Sequence, residues 1–291
     1  MKISEKNAII TKDLTKNFGN VVAVNNLNLK IPYGTTYGLL GPNGAGKTTT
    51  VRMLNAIISP TSGSAQVVGY DIITESKQVK INCGFLPESP GLYQKLTAKE
   101  FLEFVGELYY LPKELISSRI EELLELFNLE GRENDLLEGY SRGMKQKVCL
   151  CAALIQDPKM IFLDEPTSNL DPAAARMVKD LISDLAKKAD KTIFICTHLL
   201  DAAEELCDFI GIIDNGELKV EGSPKEIIDS VGAKDLEDAY LKIMGVSKID
   251  DLLAWREETP QNNKEEKKKK KKEKKRKENR KKNGKSLESN C

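Results

Sequence analysis

Histidine is almost absent from this chain: one imidazole, His198, in 291 residues. Long apolar runs are missing too. The longest, such as "VCLCAALI", fall far short of the roughly 20 residues a membrane span requires, so no transmembrane helix is expected. The start "MKISEKNAII" lacks the apolar stretch of a secretion signal, which leaves a protein soluble by itself as the expectation. The six cysteines (Cys83, Cys149, Cys151, Cys196, Cys207 and Cys291) show no zinc-like pairing. Cys149 and Cys151 stand two apart in helical text, where side chains diverge. A disulfide framework would be unusual at this length, so a reducing cytosol fits. Net charge is also missing, with 44 basic against 44 acidic residues, but the balance conceals a split. From Lys264 to Cys291 there are 15 Lys and Arg against 5 Glu, a charge of +10, which leaves 29 basic and 39 acidic residues, or −10, for the rest. An ordinary acidic body carries a basic tail.

What is present alternates strand and helix. "LNLKIP" puts Leu27, Leu29 and Ile31 on one face of a half-buried strand. "TTYGLLGPNGAGKTTTVRMLNAI" runs strand, glycine loop, helix. From Thr97 to Phe127 the period turns helical, with Thr97 and Glu100 in capping-box spacing. "MIFLDEP" and "TIFIC" read as buried parallel strands around a helix that Asp171 caps and Pro172 opens. "FIGIIDNGELKVEG" reads as a hairpin around Asn215-Gly216. A short helical piece follows, and after Pro260 the composition cannot bury a core. The pattern is that of an α/β sheet with crossover helices.

"GPNGAGKT", Gly41 to Thr48, fits the phosphate-loop pattern G-x-x-x-x-G-K-[ST] in its required setting, with an apolar strand before and a helix after. Backbone N–H groups of Gly41, Pro42, Asn43, Gly44, Ala45 and Gly46 (proline excepted) can turn toward phosphate oxygens, with the helix N-terminus behind them. Lys47 can reach the β- and γ-phosphates, Thr48 can bind Mg²⁺, and Thr49 adjoins. Asp164, ending its strand, can hold the Mg²⁺ shell, and Glu165 can face the attacking water; the bland alternative is two acids capping a strand end. Ser141, in "YSRGMKQK", is placed to cap the next helix, and the same geometry suits an anion.

At these residues the chain resembles the ATP-binding cassette (ABC) ATPases. Ser141 and Gly143 match their L-S-G-G-Q signature, while Tyr140, Arg142 and Met144 depart from it. The variant is similar to the branch that powers drug, sodium, antibiotic or polysaccharide exporters. The resemblance implies a P-loop NTPase with a mostly parallel core sheet, an antiparallel β subdomain and a helical signature subdomain. Its implied boundaries are 1–223 for the ATPase domain (helical part about 95–150), 224–258 for a small helical extension and 259–291 for a disordered Lys-rich tail. Phe18 would stack on adenine, although a hairpin aromatic needs no ligand. "SNLD", Ser168 to Asp171, would cross to a partner subunit. Glu88 stands where the family has a glutamine, and counts with Thr48 and Asp164 as a metal candidate. His198, 33 residues after Glu165, matches the switch histidine that contacts the γ-phosphate and holds the attacking water.

The resemblance also implies ATP and Mg²⁺ as cofactors, with Lys47, Glu165 and His198 catalytic. A second cassette would pack head to tail, a separate membrane permease would be the partner, and the site of action would be the inner face of the cell membrane. The basic tail suits anionic lipid, or simply solubility. The rival function is an ABC-type ATPase acting on ribosomes or nucleic acid through that tail. Against it, the tail has no aromatic for base stacking, and the chain has one phosphate loop. A GTPase is disfavoured by the lack of an N-K-x-D motif. A non-hydrolysing regulatory module stays open if Glu88 or Arg142 disables the site.

Overall fold

The computed structural model describes residues 7–245 except Pro90, Asn169, Asp190 and the side chain of Lys188. The chain opens with β1 (Asn7–Phe18), β2 (Val21–Leu27) and β3 (Lys30–Pro32), then β4 (Thr36–Leu40) and, after the glycine loop, α1 (Lys47–Leu54). β5 (Ser62–Val67) and β6 (Tyr70–Asp71) precede α2 (Ser76–Asn82) and β7 (Cys83–Leu86). Three helices follow: α3 (Ala98–Leu108), α4 (Lys113–Leu126) and α5 (Arg142–Leu154). Next come β8 (Met160–Asp164), α6 (Pro172–Ala189), β9 (Thr192–Thr197), α7 (Leu200–Leu206), β10 (Phe209–Asp214) and β11 (Glu217–Gly222). α8 (Pro224–Ser230) and α9 (Leu236–Ile243) close the described part.

Two sheets form. One is antiparallel, in the order β2-β1-β5-β6 with β3 also on β1. The other runs β11-β10-β4-β9-β8-β7 and is parallel except at the β10–β11 hairpin. The central strands are buried along their whole length, which only a sheet covered on both faces allows. Their alternation sorts two cores. Met160, Phe162 and Phe194 join Tyr37 and Val51 on one face, while Ile161, Leu163, Ile193 and Ile195 join the helices on the other. Phe194 stacks on Tyr37 with ring centroids 5.3 Å apart.

Most local expectations hold. Thr97 and Glu100 close a capping box, Ser141 caps α5, and the Asp171 carboxylate accepts from the N–H groups of Ala173 and Ala174 behind Pro172. Asn215 and Gly216 both take positive φ, as a two-residue hairpin turn demands. The strand expected through "LNLKIP" is instead broken. β2 ends at Leu27 and β3 begins at Lys30, yet Leu27, Leu29 and Ile31 are all buried. Asn26 turns left-handed (φ 48°), and Thr11 bridges the break, its hydroxyl donating to Leu27 O and accepting from Leu29 N.

The described cysteines are free and buried. Burial pushes the Cys149 and Cys207 thiols up to about 12, and Cys83 and Cys151 higher still, so they act as small hydrophobes. Ile227 of α8 and Leu236 and Ala239 of α9 pack into the same core as α3–α5, and one compact unit runs to Met244. The expected extension beyond 245 and the Lys-rich tail lie outside the described residues.

Candidate functional site

Three loops leave the same end of three adjacent parallel strands, because Leu40 of β4 pairs with Thr197 of β9, and Cys196 pairs with Asp164 of β8. The crevice beyond the carboxyl ends of such strands is where α/β sheets bind ligands.

The first is the glycine loop. Gly44 (φ 84°) and Gly46 (φ 109°) take conformations that side chains rarely adopt. A Cβ on Gly41 would meet the Ile213 carbonyl oxygen at 2.2 Å, and one on Gly46 the Ala23 carbonyl oxygen at 2.4 Å. The loop is therefore seated hard against β2 and β10. The hairpin turn supports it as well: Gly216 N donates to Ala45 O at 2.9 Å, and Gly216 O accepts from Asn25 N at 2.8 Å. Gly46 precedes α1 with no side chain capping the helix, so its first N–H groups stay available to an anion. Lys47 is buried, and its ammonium donates to Gly41 O (2.6 Å) and Pro42 O (3.1 Å).

The second loop carries the acids. Asp164 is 1% exposed, and neither carboxylate oxygen is hydrogen-bonded. Burial raises its carboxyl above the ordinary range, and the charges of Glu88 and Glu165 add to the rise. The Thr48 hydroxyl and the Lys47 charge pull it back. Glu165 turns left-handed (φ 53°) and is held from three sides. Ser168 Oγ (2.9 Å) and Thr197 Oγ1 (3.1 Å) donate to its Oε2, and His198 Nδ1 lies 2.7 Å from Oε1. The third loop, after β9, thus supplies both Thr197 and a half-exposed His198.

A cleft of about 250 Å³ collects Asn43, Gly44, Gly46, Lys47, Thr48 and Thr49 opposite Glu88, Asp164 and Glu165. Phe18, Ser141 and Gly143 do not line it. Phe18 stands 52% exposed near the end of β1 with Lys16 Nζ 5.1 Å from its ring centre. Ser141 and Gly143 start α5, whose Gln146 donates to Pro166 O beside the acidic loop. The hydroxyls of Ser168 and Thr197, which fix Glu165, belong to no sequence pattern that marks them as its partners. In sequence their signal is proximity alone: Ser168 stands three residues after Glu165, and Thr197 directly before His198.

A carboxylate whose fold raises its pKa destabilises the folded state at every pH above its unfolded value. Asp164→Asn is therefore expected to raise the melting temperature at neutral pH, and the gain should shrink as pH falls into the carboxylate range. Thermal melts across pH check this.

Comparison with known proteins agrees with this geometry. The ABC transporter family model matches residues 24–168. The bacitracin transport ATP-binding protein BcrA of Bacillus licheniformis is 40% identical over 210 residues, covering 72% of this chain and 68% of that protein. This chain belongs to the ABC transporter family. It is an ATP-binding subunit of such a transporter, and an ATPase. The ABC transporter ATP-binding protein NatA of Bacillus subtilis is 36% identical over 230 residues, 78% of this chain and 93% of NatA. The daunorubicin resistance ATP-binding protein DrrA3 of Streptomyces coeruleorubidus is 35% identical, covering 82% and 75%. Among solved structures, the ATP-binding subunit of an ABC transporter superposes with TM-score 0.75 at 29% identity, over 81% of this chain and 99% of that one. A dimeric ATP-binding cassette in a post-hydrolysis state with ADP and Pi gives TM-score 0.68 at 26% identity, over 74% and 98%. The ribosome or nucleic-acid alternative finds no support in these relatives.

Proposed function

We propose that this ABC subunit hydrolyses Mg-ATP to drive export through a separate membrane permease. The observation that carries the reading is the cleft: a buried, unpaired Asp164 carboxylate faces a phosphate loop, with the Glu165–His198 pair beside it. Among the described residues no group of three or more His, Cys, Asp or Glu side chains is arranged to hold a metal by itself. Mg²⁺ characteristically keeps waters and shares one or two carboxylates with substrate phosphates, which this donor set fits. Thr48, Asp164 and Glu88 would hold it, and it would supply charge neutralisation at the phosphates.

The rest of the work falls to the chain. Backbone N–H groups from Gly44 to Thr48 bind phosphate oxygens, and Lys47 exchanges two carbonyls for phosphate. Glu165, fixed by its hydroxyl and imidazole partners, accepts a proton from water, and His198 orients that water. Phe18 stacks on adenine. Ser141 and Gly143 complete the site of a second subunit packed head to tail, with 168–171 crossing between them; Asn169 in that segment lies outside the described residues. The domain limits follow the same reading, with ATPase residues 1–223 and the helical part near 95–150.

No described helix is long and apolar enough to cross a membrane. The permease would dock in a groove of about 620 Å³ lined by Ile57, Ile81, Phe85, Leu108, Tyr109 and Tyr110. Tyr110 there is 82% exposed, and a contiguous apolar patch of this kind marks an interaction surface. The subunit would work at the cytoplasmic face of the membrane, with the Lys-rich tail attracted to anionic lipid.

The test is co-purification from gently solubilised cells. A polytopic membrane protein retained at high salt is expected, and Leu108→Glu should weaken its recovery at least tenfold without altering ATP binding. Ribosomal proteins or nucleic acid in its place would overturn the exporter reading.

A further inference from the structure

For a site meant to hold a polyanion, the nucleotide cleft has an unexpected charge. One lining side chain is cationic, Lys47, and three are carboxylates, Glu88, Asp164 and Glu165, so the ionised lining sums to −2. Two of the four charges are committed. The Lys47 ammonium is bonded to two loop carbonyls, and Glu165 is held by two hydroxyls and His198. Asp164 and Glu88 are not. Asp164 is buried with both oxygens unpartnered, and Glu88, exposed on the segment after β7, makes no hydrogen bond or ion pair among the described residues. An orphaned buried carboxylate points to a cation. A second free carboxylate in the same cleft then decides what happens when the cation is missing.

We infer that Glu88 restricts this site to nucleotide complexed with a divalent cation. The inference rests on the ATP-binding role proposed for the cleft. Without the cation, the Glu88 carboxylate and the phosphate oxygens repel within the same cleft. With it, the same carboxylate becomes a ligand, directly or through a metal-bound water. A neutral amide at this position would bind the cation less tightly but leave bare ATP unopposed. Because Glu88 is exposed, solvent and salt weaken the repulsion, which sets its scale at about tenfold in affinity rather than thousands.

The test measures ATP binding calorimetrically on the full chain, in excess Mg²⁺ and again in excess EDTA, for the parent and for Glu88→Gln. The expected result is that chelation weakens the parent about tenfold more than the variant, equivalent to about 1.4 kcal/mol, and that the gap narrows as salt rises. Glu88→Ala, which deletes both charge and metal donor, should keep the gain in metal-free binding while losing affinity with Mg²⁺. Equal losses on chelation in parent and variants, with Mg-ATP bound normally, would overturn the role of Glu88 alone. Failure of the parent to bind ATP with Mg²⁺ present would overturn the nucleotide site and this inference with it.

Discussion

Replacing Glu165 by glutamine is expected to lower ATP hydrolysis by about 10²–10⁴-fold while ATP still binds. The geometry makes this a clean test of proton acceptance. Glutamine keeps an oxygen to accept from Ser168 and Thr197, and its amide can donate to His198 Nδ1, so the side chain stays where Glu165 lies. What disappears is the carboxylate proposed to take a proton from water. Ser168→Ala or Thr197→Ala should cost less, since each loosens the carboxylate without removing it. Phosphate release under single-turnover conditions, with nucleotide binding measured in parallel, separates the two steps. Near-normal hydrolysis in the Glu165→Gln protein would move the proton acceptor elsewhere.

Gly46→Ala is expected to weaken ATP binding about a hundredfold or more, equivalent to about 2.7 kcal/mol. Two costs coincide at this position. The backbone at φ 109° is strained for any residue with a Cβ, by about 1–3 kcal/mol. The added methyl would also lie 2.4 Å from the Ala23 carbonyl oxygen, so either β2 or the loop must shift. A shift of the loop would turn away the N–H groups proposed to meet phosphate. Gly44→Ala is the control: φ is 84°, but nothing lies within 4 Å of the new methyl, so only the conformational cost remains. Equilibrium dialysis with ATP, alongside thermal melts, should rank the two glycines. An unimpaired Gly46→Ala protein would show that the contact with β2 does not shape the loop.

Much of this site was legible in the sequence because its parts are contiguous. The phosphate loop is eight consecutive residues with a fixed backbone path, and a buried strand followed by Asp164 and Glu165 needs no distant partner to be read. His198 is marked in sequence by its resemblance to the family's switch histidine at the end of the next apolar run; its 2.7 Å contact with Glu165 is added by the structure. What stayed illegible depends on tertiary contact. The break at Asn28 is set by Thr11, seventeen residues earlier, whose hydroxyl replaces the missing strand pairing. The contact of Gly216 with Ala45 joins a hairpin turn to a loop 171 positions away, and a hairpin pattern carries no trace of it. The left-handed backbone at Glu165 is equally hidden, because glutamate has no local preference for it. Which side of the site Ser141 and Gly143 serve is likewise a question one chain's pattern does not pose.

The strand order sets a schedule for the nascent chain. In sequence the order is β4, β8, β9, but in the sheet β9 lies between the other two. Until residues 192–197 have been synthesised, β4 and β8 have no common neighbour, and each presents an unpaired inner edge. Such edges invite pairing with other chains, and nonlocal parallel pairings close slowly. ATP offers no rescue during that interval, since a ligand stabilises only a state that can bind it. Thr197 and His198 arrive with β9, which joins β4 to β8, but the other edge of β4 and the Ile213 and Gly216 contacts that seat the glycine loop wait for the β10–β11 hairpin, so the exposed-edge stage outlasts the synthesis of the residues that line the cleft.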